Sequence, residues 1–165
     1  MIAVREGTAA DRDFVIATAR RFAAFGPPAW RSAAEIVAGE VRCLDDFFEG
    51  RLAGSVDGSL DAARDRRTLL VAELDGRPAG FTFLEPAVDY FTGQPDGHIG
   101  MVAVAETAEG KGVGAALMRA AEDWARRNGY PRLHLNVFAG NDRARRIYEQ
   151  TGYEIETIRY VKKLE

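Results

Sequence analysis

Three glycines and one lysine lie within the six residues Glu109-Gly110-Lys111-Gly112-Val113-Gly114. A short apolar run, Met101–Val104, precedes them, and a helical pattern of apolar residues follows them. Glycine in such a place costs about 0.5–1 kcal/mol relative to alanine, so the cluster indicates a backbone with positive φ or a ligand that approaches the main chain. Unpaired N–H groups at a helix N-terminus bind anions. The stretch therefore predicts a phosphate or pyrophosphate site rather than a plain strand-to-helix turn.

Two other phosphate-binding motifs share part of this pattern and fail on context. Gly110-x-Gly112-x-x-Ala115 fits a dinucleotide fingerprint, which requires an acidic residue about 20 positions further on, at the end of the next strand. That strand ends in 135–138, Leu-Asn-Val-Phe, without an acid. A Walker loop requires Ser or Thr after its lysine, whereas Gly112 follows Lys111. The sequence therefore argues against both nucleotide-binding classes.

The hydrophobic periodicity predicts the elements that position this loop. Capping and turn signals mark their ends, since Ser32 and Glu35 have capping-box spacing and Asp75-Gly76 is a hairpin turn. Segment 51–67 is interpreted as a loop or an extension of the second helix, and segment 86–97 as a loop. The predicted strands are 2–5, 68–74, 77–85, 98–104, 132–138 and 153–164, and the predicted helices begin near residues 11, 32, 113 and 141.

The resulting order, β-α-α-β-β-β-α-β-α-β, predicts an α/β fold of the mixed α+β kind. Strands and helices interleave only in the second half, which indicates a mixed, mostly antiparallel sheet flanked by helices. The strands at 98–104 and 132–138 form its parallel pair, joined across the glycine-loop helix. At 165 residues the chain is expected to form a single domain, 1–165.

The composition is ordinary for a globular protein, with 47% hydrophobic and 28% charged residues. A net charge of −3 gives no electrostatic case for binding nucleic acid or an anionic membrane. Cys43 is the only cysteine and lies in a helical pattern, so it is predicted to be a buried structural thiol. The N-terminus lacks a signal-peptide core and no apolar run approaches the ~20 residues of a membrane span, so a cytoplasmic location is expected.

A second motif follows the predicted strand 132–138. It reads Asn141-Asp-Arg-Ala144-Arg-Arg-Ile147-Tyr148-Glu-Gln-Thr-Gly152-Tyr153 and lies on a short amphipathic helix. Together with the glycine loop it resembles the signature of the GNAT N-acetyltransferase superfamily, Gln/Arg-x-x-Gly-x-Gly/Ala followed by Asn-x-x-Ala-x-x-x-Tyr-x-x-x-Gly-Phe/Tyr. The order of elements agrees with that family over almost the whole chain. Glu109 departs from the pattern, because the family carries Gln or Arg there.

The resemblance implies transfer of an acyl group, usually acetyl, from acetyl-CoA to a primary amine of a small molecule, protein or peptide, by direct attack in a ternary complex. The CoA pyrophosphate would lie on the N–H groups of the loop. The pantetheine arm would pair with an open edge of strand 98–104, which must then diverge from strand 132–138. No metal is implied. The implied cofactor-binding residues are Val102, Ala103, Val104, Gly110, Lys111, Gly112, Val113, Gly114, Ala115, Asn141 and Tyr148.

Two side chains are candidates for acid–base catalysis. Tyr148 matches the family's general acid, which would protonate or stabilise the departing thiolate; without the resemblance it would be interpreted as a packed aromatic residue. His98 is the candidate base for the acceptor's ammonium group, with a purely structural strand residue as the alternative and with another group or water as the base in that case. His134 alternates with Leu133 and Leu135 and is interpreted as structural, with a water-relay role left open.

A non-catalytic acyl-CoA sensor or interaction module with the same fold is the alternative function. Glu109 is its support, because a carboxylate beside a pyrophosphate is electrostatically unfavourable unless its side chain turns away. The presence of Tyr148 and Asn141 argues for the enzyme.

The motifs do not cover the region expected to bind the acceptor. That region lies between the first two helices, segment 51–67 and the loop at 86–97, where Tyr90 and Phe91 would either line a pocket or anchor the loop. A homodimer is an expectation by analogy alone.

Overall fold

The fold is built on one mixed sheet, seen in a computed structural model that describes residues 1–51 and 66–164. Its five strands lie in the order β1-β2-β3-β4-β5. The first four strands pair antiparallel, and β4 and β5 pair in parallel. The predicted mixed, mostly antiparallel sheet with one parallel pair is therefore confirmed. The strands are β1 (Ile2–Glu6), β2 (Thr68–Leu74), β3 (Arg77–Val88), β4 (Pro95–Val104) and β5 (Leu133–Leu135).

Four α-helices flank the sheet in the described part of the chain: α1 (Arg12–Ala19), α2 (Ala33–Phe48), α3 (Val113–Arg127) and α4 (Asp142–Gln150). Short 3-10 turns precede and follow α1, so the single helix predicted from residue 11 to 24 is α-helical only to Ala19. The capping box predicted for α2 is confirmed. The Ser32 hydroxyl accepts from the Glu35 N–H at 3.1 Å, and the Glu35 carboxylate accepts from the Ser32 N–H at 2.8 Å.

The core has one layer on each face of the sheet. On the α1/α2 face, Leu44, Phe81 and Phe83 have no exposed surface, and Met101 joins them. On the α3 face, Ile99 and Trp124 belong to a second buried cluster. Burial of each such side chain contributes about 1.5–3 kcal/mol, so the two layers hold β3 and β4 firmly between the helices.

The β3–β4 hairpin is longer than the sequence predicts. Pro86 was expected to begin a loop, but the register pairs it with Gly97, and the hairpin turn occupies only 89–94. A proline can lie in a strand where its missing N–H is not needed by the neighbour. Tyr90 and Phe91 lie at this turn and are 92% and 73% exposed, with their rings packed on each other at 5.4 Å. They therefore do not anchor the loop to the body of the protein.

A β-bulge at Gly100 separates the two halves of β4. Phe83 pairs with Met101 while Leu84 pairs with Ile99, so Gly100 is the extra residue. The extra residue of a bulge stays outside the ladder and increases the local twist. Ile99 consequently faces α3, and Met101 faces α1 and α2.

The parallel pair separates just before this bulge. Strand β5 pairs only with Gly97, His98 and Ile99 of β4 and ends at Leu135, whereas β4 continues to Val104. The divergence that the resemblance implies is therefore present. The predicted strand 132–138 was too long, because the added twist at the bulge carries β4 away from its neighbour.

The last predicted strand, 153–164, is wrong. This segment forms neither helix nor strand, and its Ile158 and Tyr160 side chains are 70% and 90% exposed. Alternation of apolar and polar residues favours a strand, but it does not supply a partner edge. Most of segment 51–67 lies outside the described residues.

The turn after the first helical region touches the turn that leads into α4. Gly26 has a φ of +69°, and a Cβ placed there would lie 2.3 Å from the carbonyl carbon of Gly140. Because the obstacle is main chain, no side-chain movement can relieve it. This contact fixes the start of α4 relative to the turn that follows α1.

We expect Gly26→Ala to lower the free energy of unfolding by about 2–3 kcal/mol, since it adds a clash to an unfavourable φ. Urea unfolding would measure the change. Gly39→Ala is the matched control, because Gly39 lies in α2 with nothing within 4 Å of its Cβ position. There, alanine should stabilise the protein by about 0.5–1 kcal/mol. Equal stability of Gly26→Ala and the parent protein would contradict the close packing.

Candidate functional site

The glycine loop connects the end of β4 to the N-terminus of α3, which has no side-chain cap from its N-cap residue. Gly110 and Gly112 have φ values of +73° and +84°, which explains why both are glycine. Gly112 is the N-cap of α3, and it has no side chain that could cap this end of the helix. The N–H groups of a helix's first turn have no acceptors within the helix. The loop therefore presents several main-chain donors and the positive end of the helix dipole to one place.

The surroundings of Gly114 indicate whether the N-terminus of α3 has room for a ligand. It lies in the first turn of α3, and its φ is not positive. A Cβ there would contact only Val104, at an ordinary 3.6 Å, and one at Gly110 would meet nothing within 4 Å. Packing among the described residues thus does not require glycine at 114. A bare main chain facing open space is what the close approach of a phosphate needs.

Glu109, the residue that departs from the signature, is ion-paired with two arginines. Its Oε1 lies 2.5 Å from Nη2 of Arg21, and its Oε2 lies 3.1 Å from Nη1 of Arg143. The hydrogen bonds from Arg21 and then Arg143 hold the pKa of this carboxyl below its usual value, so it stays ionised near neutral pH. The negative charge therefore points at guanidinium groups and brings both of them to the glycine loop.

Arg21 could not be identified from the sequence, because it lies 88 residues before its partner Glu109. Its second amino group, Nη1, donates to the carbonyl oxygen of Val104 at the end of β4. Arg21 therefore joins the 3-10 turn Arg20–Ala24 to both the strand end and the glycine loop. Arg143, an exposed residue of α4, contacts the other oxygen of the same Glu109 carboxylate.

The part of β4 after the bulge is the stretch for which main-chain contacts to a ligand are predicted. Val102, Ala103 and Val104 pair with β3 on one side, and β5 does not reach them on the other. Val102 and Val104 pack toward α3, and Ala103 packs toward α1 and α2. The main-chain edge that faces the gap between β4 and β5 leads, through the 3-10 turn Glu106–Ala108, into the glycine loop.

Tyr148 and Asn141 lie on and before α4. Asn141 is its N-cap, with Oδ1 accepting from the Ala144 N–H at 3.1 Å. Tyr148 is half-buried against the α3-face cluster, and its ring lies 5.9 Å from that of Tyr153. Burial raises the pKa of Tyr148 above its usual value of 10.0, so the phenol keeps its proton near neutral pH. A protonated phenol is suited to donate a proton rather than to accept one.

His98 lies one residue before Ile99, the last residue of β4 that pairs with β5. Its Nδ1 is 3.2 Å from Oε1 of Glu85 on β3, and its Nε2 is 3.5 Å from Nδ2 of Asn136, just after β5. Its ring stacks on that of His134, its register partner on β5, with centroids 4.8 Å apart and planes inclined by 24°. Glu85 and Asn136 are contacts that sequence analysis did not find.

His98 and Tyr148 approach β4 from opposite faces. Side chains alternate along a strand, so His98 faces α1 and α2 while its neighbour Ile99 faces α3. Tyr148 packs against the cluster that contains Ile99. The imidazole and the protonated phenol thus lie on opposite faces of the sheet.

Other candidate chemistry is not supported in the described residues. Burial and the nearby carboxylates of Glu85 and Glu40 raise the pKa of Cys43 to about 11, which suits the predicted structural thiol. Across 1–51 and 66–164, His, Cys, Asp and Glu side chains do not gather in threes as a metal site would need. Over the same ranges, we find no helix with the length and apolar character to cross a membrane.

This fold is shared with solved acetyltransferase structures. A putative acetyl transferase from Pyrococcus furiosus superposes with a TM-score of 0.75 at 19% identity, covering 99% of this chain and 100% of that one. Glucosamine-6-phosphate N-acetyltransferase from Arabidopsis thaliana superposes with a TM-score of 0.66 at 17% identity, covering 100% of this chain and 99% of that one. At such low identity, the likeness concerns the fold alone.

Residues 30–153 match the family described as Acetyltransferase (GNAT) family, and the chain belongs to this family. An uncharacterized N-acetyltransferase of Bacillus subtilis (strain 168) is 37% identical over 89 residues, 54% of this chain and 60% of the relative. Streptothricin acetyltransferase of Streptomyces lavendulae is 36% identical over 97 residues, 59% of this chain and 49% of the relative. The matched region spans less than two thirds of the length of these curated relatives.

Proposed function

We propose that the protein is an acyltransferase that moves an acetyl group from acetyl-CoA to a primary amine of a small molecule, protein or peptide. One observation carries the proposal: the open main-chain edge of β4 runs into the uncapped start of α3, bordered by Gly110 and Gly112. An extended amide-containing arm ending in a pyrophosphate matches such a row of donors and acceptors. Membership of the acetyltransferase family supports the same ligand.

Each part of the site has a role in this proposal. The N–H groups of the loop hold the pyrophosphate, with Lys111 adding positive charge. The β4 edge pairs with the pantetheine arm, and the Asn141 amide holds the arm near the thioester. The proposed cofactor-binding residues are Val102, Ala103, Val104, Gly110, Lys111, Gly112, Val113, Gly114, Ala115, Asn141 and Tyr148.

The chemistry requires three proton movements. His98 accepts a proton from the acceptor's ammonium group, which frees the nitrogen lone pair to attack the thioester carbonyl. The new C–N bond forms as the C–S bond breaks, and Tyr148 donates a proton toward the departing sulfur. The nitrogen loses its second proton as it becomes an amide, and that proton restores the phenol by way of solvent. Placing the two residues on opposite faces of β4 lets one serve the incoming nitrogen and the other the leaving group.

The acceptor is proposed to enter on the α2 face of the sheet. A groove of about 180 Å³ lies there between α2 and Phe138, with Glu40 among its lining residues. Glu40 is half-buried, and its burial raises its pKa. Glu85, next to His98, carries a second carboxylate on the same face. These carboxylates would attract an ammonium group, which favours an amine that is cationic at neutral pH.

The direct test combines binding and turnover. Calorimetry with CoA measures whether the site binds the cofactor, and release of free thiol from acetyl-CoA in the presence of a panel of amines measures transfer. We expect CoA binding together with amine-dependent thiol release. Binding without release for any amine would favour the alternative, a non-catalytic acyl-CoA sensor. Absence of CoA binding would overturn both.

Arg21→Ala is expected to raise the Kd for CoA about 10-fold at low ionic strength, the order expected for one charge near a phosphate in a partly solvated site. The change removes a guanidinium from the loop and leaves Glu109 with Arg143 alone. Calorimetry at fixed salt would measure it, with the exposed Arg20→Ala as control. The double variant Arg21→Ala/Glu109→Gln should recover most of the affinity. Tighter binding by Arg21→Ala would instead mean that Arg21 competes with the cofactor for the Val104 carbonyl.

A further inference from the structure

We infer that Glu85 is the positioning residue of His98: its carboxylate holds the imidazole with Nδ1–H bound to β3 and with Nε2 free to take the acceptor's proton. This inference rests on the proposed function, because it concerns how that function's base is oriented. Neither GNAT motif includes Glu85, which lies on a different strand from His98, 13 residues away.

The geometry of the sheet sets the Glu85–His98 pair. The two residues are register partners on antiparallel β3 and β4, and the Oε1–Nδ1 distance is 3.2 Å. An ionised carboxylate can only accept hydrogen bonds, so it requires the proton of a neutral imidazole to be on Nδ1. The pair therefore fixes the tautomer in which Nε2 carries the lone pair.

The bulge residue makes room for this carboxylate. A Cβ at Gly100 would lie 3.2 Å from Oε1 of Glu85 and 3.3 Å from the ring of Phe83, which is tighter than normal contact. A larger residue would push the carboxylate away from its present position beside His98. The glycine at the bulge thus serves the pair in addition to the twist of the strand.

The other side of the imidazole faces the fork between the strands. Nδ2 of Asn136 lies 3.5 Å from Nε2 of His98, and an amide N–H can only donate. This weak contact agrees with an unprotonated Nε2. Asn136 directly follows the last residue of β5, so Nε2 points to the place where β4 and β5 part. An acceptor nitrogen or a water in the fork could replace the amide there.

His134 supplies a neutral surface for the imidazole. Burial and then the charge of His98 lower the pKa of His134, which favours the uncharged form of the ring stacked on His98. The positive charge that His98 gains on accepting a proton consequently stays beside Glu85. The charged or titratable groups that face the two rings are Glu85 from β3, Asp96 from β4, Arg132 before β5, Asp89 from the hairpin turn and Glu156 from the C-terminal segment, with Cys43 and Glu40 of α2 behind Glu85.

The first test reads the tautomer and does not depend on activity. The chain has only two histidines, so imidazole ¹⁵N resonances can be assigned by comparison with His134→Phe. In the parent protein above the pH of imidazole protonation, we expect the His98 proton on Nδ1. In Glu85→Ala we expect it to move to Nε2, whereas Glu6→Ala, a change of an exposed strand glutamate, should leave it on Nδ1. A His98 proton on Nε2 in the parent protein would overturn the inference.

The second test is kinetic and uses the amine found in the panel. Glu85→Gln should lower kcat about 10-fold, with little change in KM for acetyl-CoA, and should move the acidic limb of the pH–rate profile to lower pH. The shift follows because loss of the carboxylate destabilises the imidazolium. Glu85→Asp should recover part of the rate, and Glu6→Gln should match the parent. Thermal unfolding of every variant identifies losses caused by misfolding.

The outcomes separate this inference from the proposed function. If the parent protein releases no thiol with any amine, the proposed function fails, while the tautomer measurement still decides the Glu85–His98 geometry. If the parent is active and Glu85→Gln keeps both its rate and its acidic limb, Glu85 does not position the base and the inference fails.

Discussion

Replacement of Tyr148 with phenylalanine is expected to lower kcat by about 100-fold or more while the Kd for CoA changes little. A positioned acid contributes roughly 10²–10⁴-fold, and the phenylalanine removes only the hydroxyl. Tyr148 is half-buried, and its raised pKa keeps the phenol protonated, so the parent protein should retain this acid over the whole neutral range. Steady-state thiol release and calorimetry with CoA would measure the two quantities.

Tyr153→Phe is the matched control for Tyr148. The two rings are neighbours, yet the Tyr153 hydroxyl is buried and, within the described residues, has no hydrogen-bond partner. Its removal should leave kcat unchanged and stabilise the protein by about 1 kcal/mol, since an unsatisfied buried hydroxyl is lost. Equal turnover in Tyr148→Phe and the parent would remove Tyr148 as the acid.

Replacement of His98 with alanine is expected to lower kcat/KM about 100-fold and to flatten the acidic limb of the pH–rate profile. The acidic limb reflects protonation of the base that must remove a proton from the amine, and alanine has no basic group. A pH series of thiol release at saturating acetyl-CoA would measure the profile.

His134→Ala separates the two stacked imidazoles. It removes the ring beneath His98 but not the contact with Glu85, so the rate should fall less than in His98→Ala and the acidic limb should persist. Persistence of the limb in His98→Ala would show that another group or bulk water takes the proton. Its loss in His134→Ala alone would assign that role to His134 instead.

The features that sequence predicts well are those with local physical causes. The Ser32–Glu35 capping box, the Asp75-Gly76 turn and the glycine loop each involve residues within a few positions, and the structure contains all three. Interleaved strands and helices also predict the parallel pair, because a crossover helix brings two strands side by side. Family motifs add the candidate acid and the expected cofactor.

The contacts that sequence analysis missed depend on long-range register. Arg21 reaches Glu109 across 88 residues, and Glu85 faces His98 only because the hairpin register places them opposite each other. No local pattern encodes either pair. The error at 153–164 has the same origin, since strand alternation is local but a strand also needs a neighbouring edge.

The Arg21–Glu109–Arg143 network changes the interpretation of Glu109, the residue that departs from the GNAT signature. A carboxylate in place of Gln or Arg had supported a non-catalytic module, because it would repel a pyrophosphate. In the structure the carboxylate faces two guanidinium groups, so the three side chains together carry one net positive charge. The departure therefore no longer favours the sensor, and it makes Arg21 part of the electrostatics of the loop.

The bulge at Gly100 also acts as a phase shift in the alternation of β4. Met101 faces α1 and α2, and side chains alternate along a regular strand. Without the bulge, His98, three residues earlier, would therefore face the packed layer beneath α3. Because of the additional residue, Ile99 and Met101 face opposite sides of the sheet although they are two positions apart. The His98 imidazole consequently stays on the face that the acceptor would approach. Straightening the bulge with Gly100 retained as a paired residue would exchange the two faces of the strand upstream of it and turn His98 toward α3, whereas deletion of Gly100 would leave the alternation of both halves unchanged.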